Sequence, residues 1–269
     1  VLRLSPIVSL SHVALDMLAL IGAFTALFGG LVMVTQTSIK RALAFSTIAQ
    51  MGFMMLQCGL GAFAPALLHI IAHSLYKAYA FLATGSVLDA AARLKTDSKP
   101  HVHGAVAAAL LPVAAAIAFG LCSATSAAAG IDVLTKPGGL VLFAVLVLAL
   151  TTLIWHGLIA RSWRLAVTSI LAAAAVAIAY TTACLGIERL LLASSVAHTI
   201  VPPSTLDLVV SGLVVGGFLS VFAIQTATTA LARVPFIRSL HVHASNGFYC
   251  DIPARWITAR VWGLSAPVP

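Results

Sequence analysis

Runs of apolar residues, separated by short clusters of charged residues, glycine or proline, recur along this chain at about 12–35, 40–60, 64–92, 103–125, 138–160, 164–185 and 206–232. They are continuous and rich in Ala and Leu, as in ILAAAAVAIAY, and do not alternate with the period of two that a lipid-facing barrel strand needs. A hydrocarbon core of about 30 Å takes about 20 residues of helix. The pattern predicts an all-α, polytopic membrane helix bundle with about seven transmembrane helices.

Composition sharpens this. Of 269 residues, 61% are hydrophobic and 8% charged, with 15 Lys plus Arg against 7 Asp plus Glu. A soluble domain carries about 25% charged residues, so a water-soluble globule is excluded, and disorder and a disulfide scaffold with it. Cys58, Cys122, Cys184 and Cys250 show no C-x-x-C spacing and read as small apolar fillers. The chain opens at Val1 on VLRLSPIVSL, without the pattern of a signal peptide, and is expected to be N-terminally incomplete.

Basic residues set the expected orientation, because cytoplasmic loops are enriched in Lys and Arg. Alternate loops collect Lys40, Arg41, Arg93, Lys95, Lys99, Arg161, Arg164, Arg233, Arg238, Arg255 and Arg260 on one side, against Arg3, Lys136 and Arg189 on the other. The N-terminus is therefore expected outside and the C-terminus in the cytoplasm. The net charge of +8 is accounted for by loops facing anionic lipid, without nucleic acid.

Lys77 is left over. It falls in the middle of the third run, where an ionisable group costs roughly 2.5–3.5 kcal/mol and faces a bundle interior or a water path. His69, His73 and Lys77 stand at i, i+4 and i+8, one stripe with about 6 Å of rise between neighbours. Such a step is too long for a direct hydrogen bond and fits one bridging water, so the stripe reads as a proton path. Plain packing is the competing reading for either histidine alone. A zinc pair is another, although HIIAH has no Glu and no third ligand. Ser46, Thr47 and Gln50 on the preceding run are supporting polar residues, either bonding helix to helix or lining water.

The stretches TQTSIKRALAFSTIAQMGFMMLQCGLG and ALLHIIAHSLYKAYAFLATGSVLDAA resemble the antiporter-like proton-translocating subunits typified by the L subunit, or subunit 5, of respiratory complex I. The resemblance runs through about Thr35 to Leu88. It implies a fold of inverted five-helix repeats with broken helices, and proton transfer along a buried polar axis to which His69, His73 and Lys77 correspond. Lys40 is similar to a basic residue near a cytoplasmic helix end, and with Arg41 it also reads as a positive-inside anchor. On this basis residues 1–160 form a five-helix, proton-conducting repeat, 161–232 two further transmembrane helices, and 233–269 a cytoplasmic tail.

The family's fourth helix is normally broken and carries a second charged residue on the exit path, often a Lys. Here the corresponding stretch is GLCSATSAAAGIDVL, where Pro112, Gly120 and the Ser/Thr cluster are candidate breaks and no Lys stands. Asp132 is the nearest charge and the candidate exit residue, unless it simply lies in the outer loop.

Within the family, HSLYKAYAFLATGSVLDAA and the tail HASNGFYCDIPARWITARVWG look more like the DabB-type subunit of energised inorganic-carbon uptake systems. That resemblance implies a bacterial inner-membrane subunit paired with DabA, a large zinc protein resembling a carbonic anhydrase. Phe248, Tyr249, Trp256 and Trp262 among Arg255 and Arg260 read equally as a docking strip or an interfacial anchor. His101-x-His103 and His241-x-His243 read as loop histidines, and Asp89 with Arg93 as a helix-end ion pair. No nucleotide loop, haem or iron–sulfur ligand set or hydrolase triad is present, and no cofactor or metal is expected.

The leading expectation is a translocase subunit, without redox chemistry of its own, that couples proton-motive force to a partner in carbon uptake. The alternatives in its class are a complex I L/5 subunit among other complex I subunits and an Mrp-type cation/proton antiporter subunit. From other classes come an intramembrane metalloprotein and a non-conducting scaffold.

Overall fold

The computed structural model describes residues 4–83, 104–136, 138–160, 162–193, 205–226 and 234–262. Inside a bilayer a chain satisfies its backbone by hydrogen-bonding to itself, and helix is the only regular structure among the described residues. A short α1, Ser5–Val8, precedes α2, His12–Thr35, whose start is capped by the Ser11 hydroxyl accepting from the Ala14 N–H at 3.3 Å. Then follow α3, Ile39–Gly59; α4, Phe63–Leu82; α5, Gly104–Ala128; α6, Gly139–Ile159; α7, Trp163–Ala193; and α8, Thr205–Thr226. The tail forms α9, Pro235–Ser245, a 3₁₀ turn, Gly247–Tyr249, and α10, Asp251–Val261.

The seven long helices are those the apolar runs predict, and the protein is an integral membrane bundle. Five of them, α2, α3, α5, α6 and α7, are long and apolar enough by themselves to cross a membrane. α4 is long enough, but His69, His73 and Lys77 dilute its hydropathy. α5 corrects one expectation. It runs unbroken from Gly104 to Ala128 with Pro112 inside it. The hydroxyl of Thr125 turns back onto the Leu121 and Cys122 carbonyls at 3.0 and 3.1 Å, so this polar side chain is satisfied within the helix.

Packing follows residue size. α2 and α3 lie backbone against backbone: a Cβ on Gly22 would stand 2.3 Å from the Leu56 nitrogen, and one on Gly52 2.5 Å from the Ala26 nitrogen. Small residues let helices approach this closely, and van der Waals contact then holds them. Ala19, Ala23, Leu56, Leu60, Val141, Val210 and Val214 form one core between α2, α3, α6 and α8. A second core joins α5, α6 and α7 through Ala114, Ala118, Cys122, Leu150, Ile154, Ala173 and Ala177, so α6 belongs to both. The Trp155 indole of α6 donates to the Ala107 carbonyl of α5 at 2.8 Å.

The bundle has two distinguishable ends. At one, the α2–α3 turn meets the tail, where Gln36 Nε2 donates to the Ser245 carbonyl at 3.3 Å and Phe248 packs, tilted, on Phe28 with centroids 5.7 Å apart. At the other, the α3–α4 turn meets the α5–α6 loop, a Cβ on Gly138 lying 3.0 Å from Leu60 Cβ. Of the tail aromatics, Phe248 is docked on α2, whereas Trp256 and Trp262 are 53% and 75% exposed, Trp256 beneath the Arg260 guanidinium at 4.9 Å.

Candidate functional site

α3 and α4 are joined by a tight turn in which Gly61 takes φ 72°, a left-handed conformation that side chains disfavour. The turn makes the helices antiparallel neighbours, and their polar residues meet across the seam. His69 Nε2 lies 2.5 Å from Gln50 Oε1. Two turns along, Lys77 Nζ donates to the Leu43 carbonyl at 3.0 Å, a carbonyl that also accepts from Thr47 Oγ1 at 3.0 Å. Between them the His73 ring lies 6.3 Å from that of His69, close to the step the helical spacing predicts. Phe53 of α3 packs on His69 at 5.5 Å and is backed by Phe218 of α8.

Burial distinguishes this stripe from the rest of α4. His73 is 8% and Lys77 7% exposed, while Leu75, Tyr76 and Tyr79 on the other faces are open. The lysine folds onto α3, where its ammonium donates to a backbone carbonyl. His73 Nε2 is buried without a hydrogen-bond partner, as is Gln57 Oε1. An unsatisfied polar atom in the interior is costly unless a water or a moving proton serves it. Gln50 Oε1 accepts, so His69 carries its proton on Nε2 and Nδ1 is the atom of the neutral ring free to take another.

Lys77 lies toward one end of the seam with α3. Measured against α3, it stands opposite Leu43, roughly 6 Å of rise from the first residue of that helix. His69 stands opposite Gln50 at the middle of α3, while the middle of α4 itself falls at His73. The end of the third run near 92, together with Asp89, Arg93, His101 and His103, lies outside the described residues.

The supporting residues divide. Gln50 and Thr47 join the stripe as described. Ser46 is half-buried and has no hydrogen-bond partner among the described residues. Lys40 is exposed in the first turn of α3, the place of an anchor. Asp132 is exposed in the α5–α6 loop, where its Oδ1 accepts from the Leu134 N–H at 3.0 Å and its carbonyl from the Thr135 hydroxyl at 3.3 Å. Its carboxylate shapes a turn and is not joined to the stripe. Among the described residues no three His, Cys, Asp or Glu side chains stand together as a metal-ligating group.

Two polar features escaped the sequence reading. Gln57 follows Gln50 by one heptad, a spacing that signals a shared helix face. Glu188, the one glutamate of the chain, pairs with Lys136. Ending the sixth run at 185 leaves Glu188 in a loop, whereas α7 continues to Ala193 and makes it helical.

Residues 1–128 match the family described as "NADH:quinone oxidoreductase/Mrp antiporter, TM". Over 265 residues, 97% of this chain and 47% of the relative, the sequence is 35% identical to the probable inorganic carbon transporter subunit DabB2 of Halothiobacillus neapolitanus. It is 49% identical over 85 residues to the probable inorganic carbon transporter subunit DabB of Hydrogenovibrio crunogenus, 32% of this chain and 16% of that one. To NADH-quinone oxidoreductase subunit L of Neisseria meningitidis it is 44% identical over 86 residues, 32% of this chain and 13% of the relative. The chain thus spans about half the length of the DabB2 that it matches almost throughout. Each of these relatives is named as a subunit of a larger assembly.

Proposed function

Because residues 1–128 match the family described as "NADH:quinone oxidoreductase/Mrp antiporter, TM", we propose that this chain is the proton-conducting part of a membrane subunit that serves inorganic-carbon uptake. Protons move along Lys77, His73 and His69, with Gln50 and Thr47 holding the ends of the line. One observation carries this reading: a buried lysine bonded to a backbone carbonyl, followed on the same face by a buried imidazole whose Nε2 has no partner.

The ammonium offers three donors and the Leu43 carbonyl, shared with Thr47, occupies one. His73 is one turn away, and with a water between them it can take a proton from Lys77 on one ring nitrogen and pass one on from the other. His69 is oriented by Gln50 to receive it on Nδ1. Desolvation disfavours a charge held on any station, so a proton moves on rather than rests there.

Carbon uptake is preferred because similarity to DabB2 continues along the chain beyond the 128 residues matched by the family, whereas similarity to subunit L covers about a third. The partner is then a DabA-like zinc subunit, the membrane a bacterial inner membrane, and the tail cytoplasmic, as the basic loops indicate. Replacing Lys77 with Met in the complete complex keeps an unbranched side chain one atom shorter and removes the titratable ammonium. Coupled uptake is expected to fall by about 10²-fold or more, the scale of a lost proton-transfer group, with membrane insertion unchanged. Undiminished uptake by an inserted K77M complex would overturn the proposal.

A further inference from the structure

On α4 the stripe begins at His69, roughly 9 Å of rise in from Phe63, and runs from there toward the tail end of the bundle. A cavity of about 520 Å³ lies at the opposite end, between the first turn of α4, the α5–α6 loop, α6 and α7. At roughly 30 Å³ per water it has room for on the order of ten waters. Most of its wall is apolar, with Phe63, Leu142 and Phe143 among the lining, and Ser126, Thr135, Tyr180, Thr181 and the Lys136–Glu188 pair are set into it. Along α7 it extends from Leu191 to Tyr180, roughly 16 Å of rise, about half the hydrocarbon thickness. Pro65 is part of its wall, and His69 is the next residue on that face of α4, roughly 6 Å further in. From Pro65 to Lys77 the rise is roughly 18 Å.

The charged residue that α5 lacks is present in this cavity from another helix. Glu188 of α7 bonds Lys136 of the α5–α6 loop near the mouth, both side chains being partly exposed. The pair ties a loop to a helix that is far from it in sequence, so breaking it changes access to the space behind. We propose that this cavity is a water-filled vestibule opening on the membrane face opposite the tail, framed at its mouth by Lys136 and Glu188, and leading to His69. The proposal rests on the proton-path reading for its purpose, but its geometry is tested independently of transport.

The chain carries its own reporters. Cys184 lines the cavity, Cys58 and Cys122 are buried, and Cys250 is exposed in the tail at the other end. In sealed vesicles holding the complete complex, a charged, membrane-impermeant thiosulfonate is added to one face and then to the other, with C184S and C250S as references. Cys184 is expected to react from the face opposite to that from which Cys250 reacts. E188Q should speed its modification by about two- to fivefold, the factor that a partly exposed ion pair holds; K136Q breaks the same pair from the loop side and serves if E188Q does not insert. Cys184 that reacts from neither face, or only with a neutral lipid-soluble maleimide, would overturn the vestibule. If Cys184 reacts as expected while K77M transports normally, the vestibule stands and the proton path falls. If K77M is inactive and Cys184 is shielded, the reverse holds.

Discussion

The two faces of α3 show two ways of holding a membrane helix. Toward α2 it is all backbone: Gly22, Gly29, Gly52 and Gly59 bring the helices so close that an added Cβ would meet main-chain atoms within 3 Å. Toward α4 the contacts are made through side chains, the Phe53 ring on His69 and two polar ones, His69 to Gln50 and Lys77 to the Leu43 carbonyl. Lipid is as apolar as leucine, so close packing and hydrogen bonds are what drive helices together in a bilayer. The α2 face uses the first and permits no rearrangement. The α4 face uses the second, and a hydrogen bond can be exchanged for one to water. A proton path needs that combination of a fixed wall and a face whose bonds can be remade.

The comparison breaks most clearly on its rigid side. Gly52→Leu places a side chain where the Ala26 nitrogen and the Thr25 side chain already stand, at 2.5 and 2.8 Å from the first added carbon. Overpacking costs about 1–3 kcal/mol where neighbours can shift, and backbone cannot. The amount of folded protein in the membrane should collapse, as a thermal-shift assay of detergent-solubilised complex will record. K77M should do the opposite, keeping the protein and losing the transport. If G52L melts with the parent, the α2–α3 contact is not the rigid wall described.

Much of this division was legible in the sequence, for definite reasons. Continuous apolar runs mark helices whatever their partners, so all seven appear where the pattern places them. Residues four apart on a helix share a face under any packing, so the alignment of His69, His73 and Lys77 needed no tertiary information. Register did need it. Which residues of α3 meet His69 and Lys77 is set by the turn at Gly61, and no spacing within α4 foretells it. Pairing between distant segments was invisible for the same reason. Asp132 is the charge nearest α5 in sequence, while Glu188 reaches Lys136 across 52 positions of the chain.

On the polar side a smaller change is expected from Gln50→Leu. The substitution leaves the His69 Nε2–H without its acceptor beside Phe53, and an orphaned buried donor costs about 1–3 kcal/mol. The ring is then free to turn, so coupled uptake should fall several-fold while the complex still inserts and loses a little in melting temperature. Gln50→Glu retains an acceptor and should recover the melting temperature. A Q50L complex with full uptake would mean that α4 is positioned by something other than this bond.

The least effect belongs to Ser46→Ala. Ser46 stands one turn before Gln50 on α3, and the spacing alone makes the two equivalent; yet Gln50 reaches His69, and Ser46 has no protein partner among the described residues. Removing a hydroxyl that satisfies nothing should change stability by no more than about 0.5 kcal/mol, and uptake within about twofold. A clear loss of uptake at unchanged protein level would reveal a role no direct contact explains. The natural cause would be a water held by Ser46 between Thr47 and Gln50. The polar face of α3 would then be a wetted surface along its length, and the contrast with its α2 face would be one of dry against wet as well as of fixed against exchangeable.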